Sequence, residues 1–114
     1  MAEIDVLTAT IGAGQTTSGE VDIGTKSLVG LQLPPGWVTA AITFLVSIDG
    51  GATFGTLIDG ATGTAYSVPS VAGAAQSYVG VDPAKLRGVT SLKIVSSVAQ
   101  TNGVTISLIT RLAL

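Results

Sequence analysis

Read for the alternation of apolar and polar positions, the chain is a succession of short strands. IDVLTATI, Ile4 to Ile11, places Ile4, Val6, Thr8 and Thr10 on one face and Asp5, Leu7, Ala9 and Ile11 on the other, the period of a half-buried strand. GAGQTTSG interrupts it with turn residues. EVDIG then buries Val21 and Ile23 while Glu20 and Asp22 face water, and SLVGLQL follows, closed by PPG. AAITFLVSI, Ala40 to Ile48, sets Ile42, Phe44, Val46 and Ile48 against Ala41, Thr43, Leu45 and Ser47. It is the strongest strand and apolar on both faces, as expected in the middle of a sheet or beneath a second one.

After the turn that follows, GGATFGTLI returns as the weaker half of a hairpin. DGATGT is a glycine-rich loop, and AYSVP and QSYVGV read as two short strands around SVAGAA. The helical signal is DPAKLRG, with Asp82 at the N-cap, Pro83 at the first helical position and Gly88 past the end, enough for a single turn. SLKIVSS and VTISLITRL close the chain around Asn102-Gly103, a strong hairpin turn, and Val104, Ile106, Leu108, Thr110 and Leu112 share one face. About eight strands at this spacing predict an all-β fold. The expected form is one antiparallel β-sandwich over residues 1–114, with jelly-roll or Greek-key connections and one short helical turn near Asp82–Gly88. Residues 1–15 are a candidate arm or swapped strand.

Composition changes this picture in one respect. Charged residues make up 11% of the 114 positions, against roughly 25% in soluble domains, while apolar residues make up 46%. Such a surface is covered by Thr, Ser, Gly, Ala and exposed apolar side chains, which points to burial against copies of the chain or a larger assembly. The uncharged stretches Ser27–Ile48 and Gly60–Val81 are broken by Gly and Pro, so neither reads as a membrane helix and no membrane partner is expected. A formal net charge of −2 gives no field for phosphate backbones, so nucleic acid is not an expected partner. The start, MAEIDV, lacks the basic and apolar segments of a secretory signal.

Chemistry is sparse. There is no Cys and no His, which removes thiolate nucleophiles, Cys/His zinc sites and the imidazole general base. Glu3/Asp5 and Glu20/Asp22 are the acidic pairs whose strand spacing would bring two carboxylates together, and a solvated strand face accounts for both. Ser and Thr are abundant, but Lys26, Lys85 and Lys93 are not tied to any nucleophile, and GAGQTTSG lacks the Lys of a phosphate loop. No catalytic, metal or cofactor residue is expected, and the chain reads as a non-enzyme. Trp37, after LPPG, is either a packing or interface residue or a loop-tip platform for a sugar. Ile4, Val6, Leu7 and Trp37 are the candidate interface residues.

SIDGGATF, Ser47 to Phe54, fits S-x-D-x-G-x-T-[WF] and resembles the Asp-box of sialidases and other propeller proteins. The resemblance implies a tight hairpin in which Asp49 accepts turn hydrogen bonds and Phe54 packs beneath. Gly50 and Gly51 would supply positive φ and Ser47 and Thr53 the remaining motif positions. Sialidases carry several boxes and an arginine cluster; one box and two arginines, Arg87 and Arg111, leave the motif structural. A second resemblance spans most of the chain. LVGLQLPPGWVTAAITFLVSIDGGATFGTLID, VDPAKLRGVTSLKIVSS and VTISLITRLAL are similar to small proteins of tailed-phage virions, of the capsid decoration or cement type. That resemblance implies a protein on the virion's capsid surface, made in the host cytoplasm. Its partners would be the major capsid protein and itself, as a homotrimer or a dimer. The competing reading is a receptor-binding or tail module that recognises a host glycan.

Overall fold

The alternation in the sequence is realised as antiparallel pairing throughout. The computed structural model describes residues 4–24, 26–71, 78–86 and 88–112. Its strands are β1 (Ile4–Ile11), β2 (Val21–Asp22), β3 (Lys26–Gln32), β4 (Ala40–Ser47), β5 (Gly55–Thr56), β6 (Ile58–Asp59), β7 (Thr64–Ala65), β8 (Val68–Val71), β9 (Tyr78–Gly80), β10 (Ser91–Ser96) and β11 (Val104–Leu112). The expected helical turn is a 3-10 turn over Pro83–Leu86.

One sheet has the order β1-β11-β3-β9; the other runs β2-β10-β4, with β5 and β8 both on β4. Four pairings are nested: β1 with β11, β2 with β10, β3 with β9 and β4 with β8. Nesting of this kind describes one long antiparallel hairpin, and rolling it puts alternate pairs into opposite sheets, which is the jelly-roll arrangement. β5, β6 and β7 form an excursion at the tip of that hairpin, where β6 and β7 pair with each other.

The inward faces of both sheets feed one core. Ala9, Ile11, Leu28, Leu31, Ile106 and Leu108 come from the first sheet, and Ile42, Phe44, Leu92 and Ile94 from the second. Phe44 is fully buried and stacks on Tyr66 with ring centroids 6.1 Å apart. β4 lies between β10 and β5/β8; Ile42 and Phe44 on one face are buried in the core, and Ala41, Thr43 and Leu45 on the other are half-buried. In β3 the strict alternation fails: Thr110 faces Leu28 while Ile109 faces Gly30, so Val29 is the extra residue of a bulge. The bulge lets Leu28 and Leu31 both point inward and turns Gly30 to the outer face.

The N-terminal segment is no detached arm in this chain. β1 pairs with β11 over its whole length, from Ile4↔Arg111 to Ile11↔Val104. Ala9 and Ile11 are buried in the core. Residues 1–3 of the expected arm lie outside the described residues. Ile48, which the alternation groups with Ile42, Phe44 and Val46, is 78% exposed, because the strand ends at Ser47 and the chain has already entered the turn.

Candidate functional surface

The hairpin after β4 is held almost entirely by two side chains. Ser47 Oγ donates to Asp49 Oδ1 at 2.6 Å and accepts from the Gly51 amide at 2.9 Å. Asp49 Oδ1 also accepts from the Thr53 amide at 3.1 Å, and Oδ2 accepts from Thr53 Oγ1 at 2.6 Å. These bonds favour the charged carboxylate, the one from Ser47 most and those from Thr53 next, and hold the Asp49 pKa down at about 2. Gly50 and Gly51 take φ of 74° and 97°, the region glycine enters without steric cost. Both carboxylate oxygens are therefore spent within the turn.

Around the turn, Thr90 donates its amide to Ser47 O at 2.8 Å and accepts from the Gly50 amide at 3.0 Å through its hydroxyl. Glu20 leans over Gly51 so closely that a β-carbon there would collide with its carboxylate. Phe54 does not pack beneath the turn into the core. Val46 pairs with Gly55, so Gly55 takes the inner side and Phe54 falls on the outer face of the sheet. There it is half-buried, with Lys93 Nζ 4.6 Å from its ring centroid.

Trp37 is neither a loop-tip platform nor a residue another molecule can reach. Its amide donates to Pro34 O at 3.1 Å, closing a turn that folds the indole inward, and the residue is 5% exposed. Its Nε1 is buried without a hydrogen-bond partner among the described residues. Of the other candidate interface residues, Leu7 is half-buried against the core and Val6 is 59% exposed; Ile4 is placed by its backbone, at the edge of the first sheet.

The carboxylate pairs do not assemble. Asp5 forms an ion pair with Lys26 on the inward side of β1. Asp22 accepts from the Gly24 amide at 2.8 Å, and Glu20 belongs to the turn just described. Glu3 lies outside the described residues. Among the described residues no three Asp, Glu, His or Cys side chains converge on a common point. A shallow cleft of about 310 Å³ is lined by Leu7, Asp22, Ile23, Gly24 and Lys26, at the end that the ion pair closes. No helix among the described residues is long and apolar enough to cross a membrane.

Two polar side chains that sequence reasoning passed over do structural work. Gln100 is fully buried and pairs with the backbone of Val38 like a strand, accepting its amide at 2.7 Å and donating to its carbonyl at 3.2 Å. Its own backbone accepts from Gly14 and donates to Gln15 O, so it fastens three loops at one end of the molecule. Ser18 repairs the interrupted edge before β2, accepting the Ile94 amide at 2.9 Å through its hydroxyl and donating its own amide to Ile94 O at 2.9 Å. The bonds that fasten separate parts of the chain, Gln100 to Val38 and Ser18 to Ile94, join residues far apart in sequence.

The first sheet leaves its outer face and its β1 edge uncovered by another strand among the described residues. The Thr10 carbonyl accepts from the Gly19 amide at 3.3 Å, so Thr10 aims its backbone at the edge, and by alternation Thr8 and Val6 do too. Asp5, the charged residue of β1, turns inward to Lys26. Val6 and Tyr78, 59% and 58% exposed, are the most exposed large apolar side chains on the outer face, with Ile109 half-buried beside Val6. The class defined is thus an all-β jelly-roll domain with an open, weakly charged sheet edge. Neither the protein-family models nor the curated proteins compared with this chain match it.

Proposed function

We propose that the chain is a non-enzymatic structural protein of a phage virion, a capsid decoration or cement protein. It binds the head exterior and stabilises contacts between capsid subunits. The observation that carries this reading is the β1 edge, where the outward-facing backbone groups of Ile4, Val6 and Thr8, on the side away from β11, have no strand partner among the described residues. Proteins that must stay apart guard such an edge with charge, proline or a bulge. Beyond Asp5, the stretch from Val6 to Thr8 has no charge, proline or bulge and offers β-branched Val6 and Thr8, which suits strand addition to a neighbouring subunit. The charge-poor composition and the resemblance to virion accessory proteins support the same reading. A cement protein adds buried area at subunit junctions, and mass action then favours the intact shell. Local symmetry at such junctions favours a homotrimer, with a dimer as the other arrangement. On this reading the working location is the capsid surface and the major capsid protein is the partner.

The test is co-sedimentation with shells that lack the protein, followed by heating of the particles. Binding and a raised disruption temperature are expected for the native chain. Val6→Lys, which charges the edge while leaving the core alone, should abolish both. Failure of the native chain to bind such shells would sink the proposal.

A further inference from the structure

Register aligns four neutral polar residues in a straight row across the outer face of the first sheet. Thr8 stands opposite Ser107, Ser107 opposite Gln32, and Gln32 opposite Tyr78. None of the four side chains makes a hydrogen bond within the described residues, so hydroxyl, amide and phenol groups all remain available. Strands are spaced by about 4.8 Å, so the row offers a hydrogen-bonding group at steps comparable with one sugar unit of a glycan. The adjacent row is apolar. Val6 stands opposite Ile109, and Ile109 opposite Gly30, whose missing side chain makes room for the phenol of Tyr78. A β-carbon on Gly30 would strike the Tyr78 ring, so the ring lies down along the sheet, and 58% of the residue stays exposed.

We infer that this face is a binding site for a neutral linear oligosaccharide, laid across the strands with one sugar stacked on Tyr78. A pyranose has an apolar C–H face and a rim of hydroxyls, and the two rows match those halves. Neither row carries a charged side chain, which favours a neutral glycan over an acidic one; Arg111 stands one row beyond Ile109 on β11. The face is also small for a protein partner. Four strands at about 4.8 Å spacing and about 20 Å length give a few hundred Å², below the ~800 Å² per partner of a stable protein interface. The site uses side chains on the outer face and strand addition would use the backbone of β1; Thr8 and Val6 border both, and the inference does not depend on the capsid reading.

The experiment is a titration of the isotope-labelled full chain with maltohexaose, xylohexaose and mannohexaose, followed by amide NMR shifts. Hexagalacturonate serves as the acidic comparison. At least one neutral hexasaccharide should shift the amides of Thr8, Gln32, Tyr78 and Ser107. Tyr78→Ala should weaken that binding at least tenfold while the rest of the spectrum stays native, and Tyr78→Phe should weaken it only a few-fold. Four results would overturn the inference: no response to any neutral probe at 10 mM, unchanged binding by Tyr78→Ala, shifts mapping elsewhere, or stronger binding of hexagalacturonate. Concentration-dependent broadening of the same amides without sugar would overturn it too, by making the face a contact between copies.

Discussion

Asp49 and Gln100 do the same job in opposite settings. Each is one polar side chain that holds a loop in place by several hydrogen bonds. Asp49 is an exposed carboxylate whose partners, Ser47 and Thr53, lie within four residues. Gln100 is a fully buried amide that reaches Val38 across 62 positions and Ser96 at 3.0 Å. The difference teaches that solvent sets the cost of losing a hydrogen bond. Water can replace the partners of Asp49 freely, whereas Gln100 is fully buried and the Val38 backbone it serves is half-buried, so water replaces those bonds less easily.

The largest predicted effect follows directly. Gln100→Leu keeps approximate volume but strips both partners from Val38, and should cost about 2–3 kcal/mol. Two-state denaturant unfolding measures it, and a loss below that of any Asp49 variant would break the comparison. Gly51→Ala comes next. Its φ of 97° disfavours a side chain, at about 1–2 kcal/mol, and the new methyl meets the Glu20 carboxylate. Pairing it with Glu20→Ala should recover only the collision and leave the backbone strain. Full recovery in the double variant would mean that the turn tolerates a side chain there.

The same contrast decides what the sequence made legible. The Asp49 turn was readable because its chemistry is local: serine, aspartate, glycines and threonine occupy one contiguous stretch. The period-two faces of β1, β4 and β11 were readable for the same reason, and they carried the all-β fold. Gln100 was invisible because its main partner, Val38, is remote and a glutamine near Asn102-Gly103 looks like ordinary loop polarity. Trp37 misled for a related reason. LPPG suggests an exposed tip, yet the turn from Pro34 to Trp37 folds the indole inward. The Asp-box resemblance of Ser47–Phe54 implies an inward Phe54, and one register step, Val46 opposite Gly55, puts it outside. Tyr78 on Gly30 could not be read at all, because only pairing and the bulge at Val29 bring them together.

Asp49 itself offers a pH test. Its folded pKa of about 2 lies below the ordinary 3.8, so the charged form is favoured by folding. The contribution is complete above about pH 4 and is lost as pH falls toward about 2. Asp49→Asn should therefore flatten the acid limb of a stability-against-pH curve in that window and change little near neutrality beyond a small constant loss. An unchanged acid limb would show that the carboxylate does not stabilise the turn.

The smallest effect separates sequence distance from burial. Lys26 and Asp5 also join remote parts of the chain, bridging β3 and β1 across β11, so they resemble Gln100 in reach. In exposure they resemble Asp49, with side chains 27% and 44% accessible. If reach set the cost, Lys26→Met would rival Gln100→Leu. If burial sets it, water and salt already compete for both ions and the loss should stay below about 1 kcal/mol. The smaller value is expected, shrinking further in 1 M salt, where screening acts over about 3 Å. A loss above about 2 kcal/mol that ignored salt would show that this exposed pair fastens the sandwich end as the buried amide does.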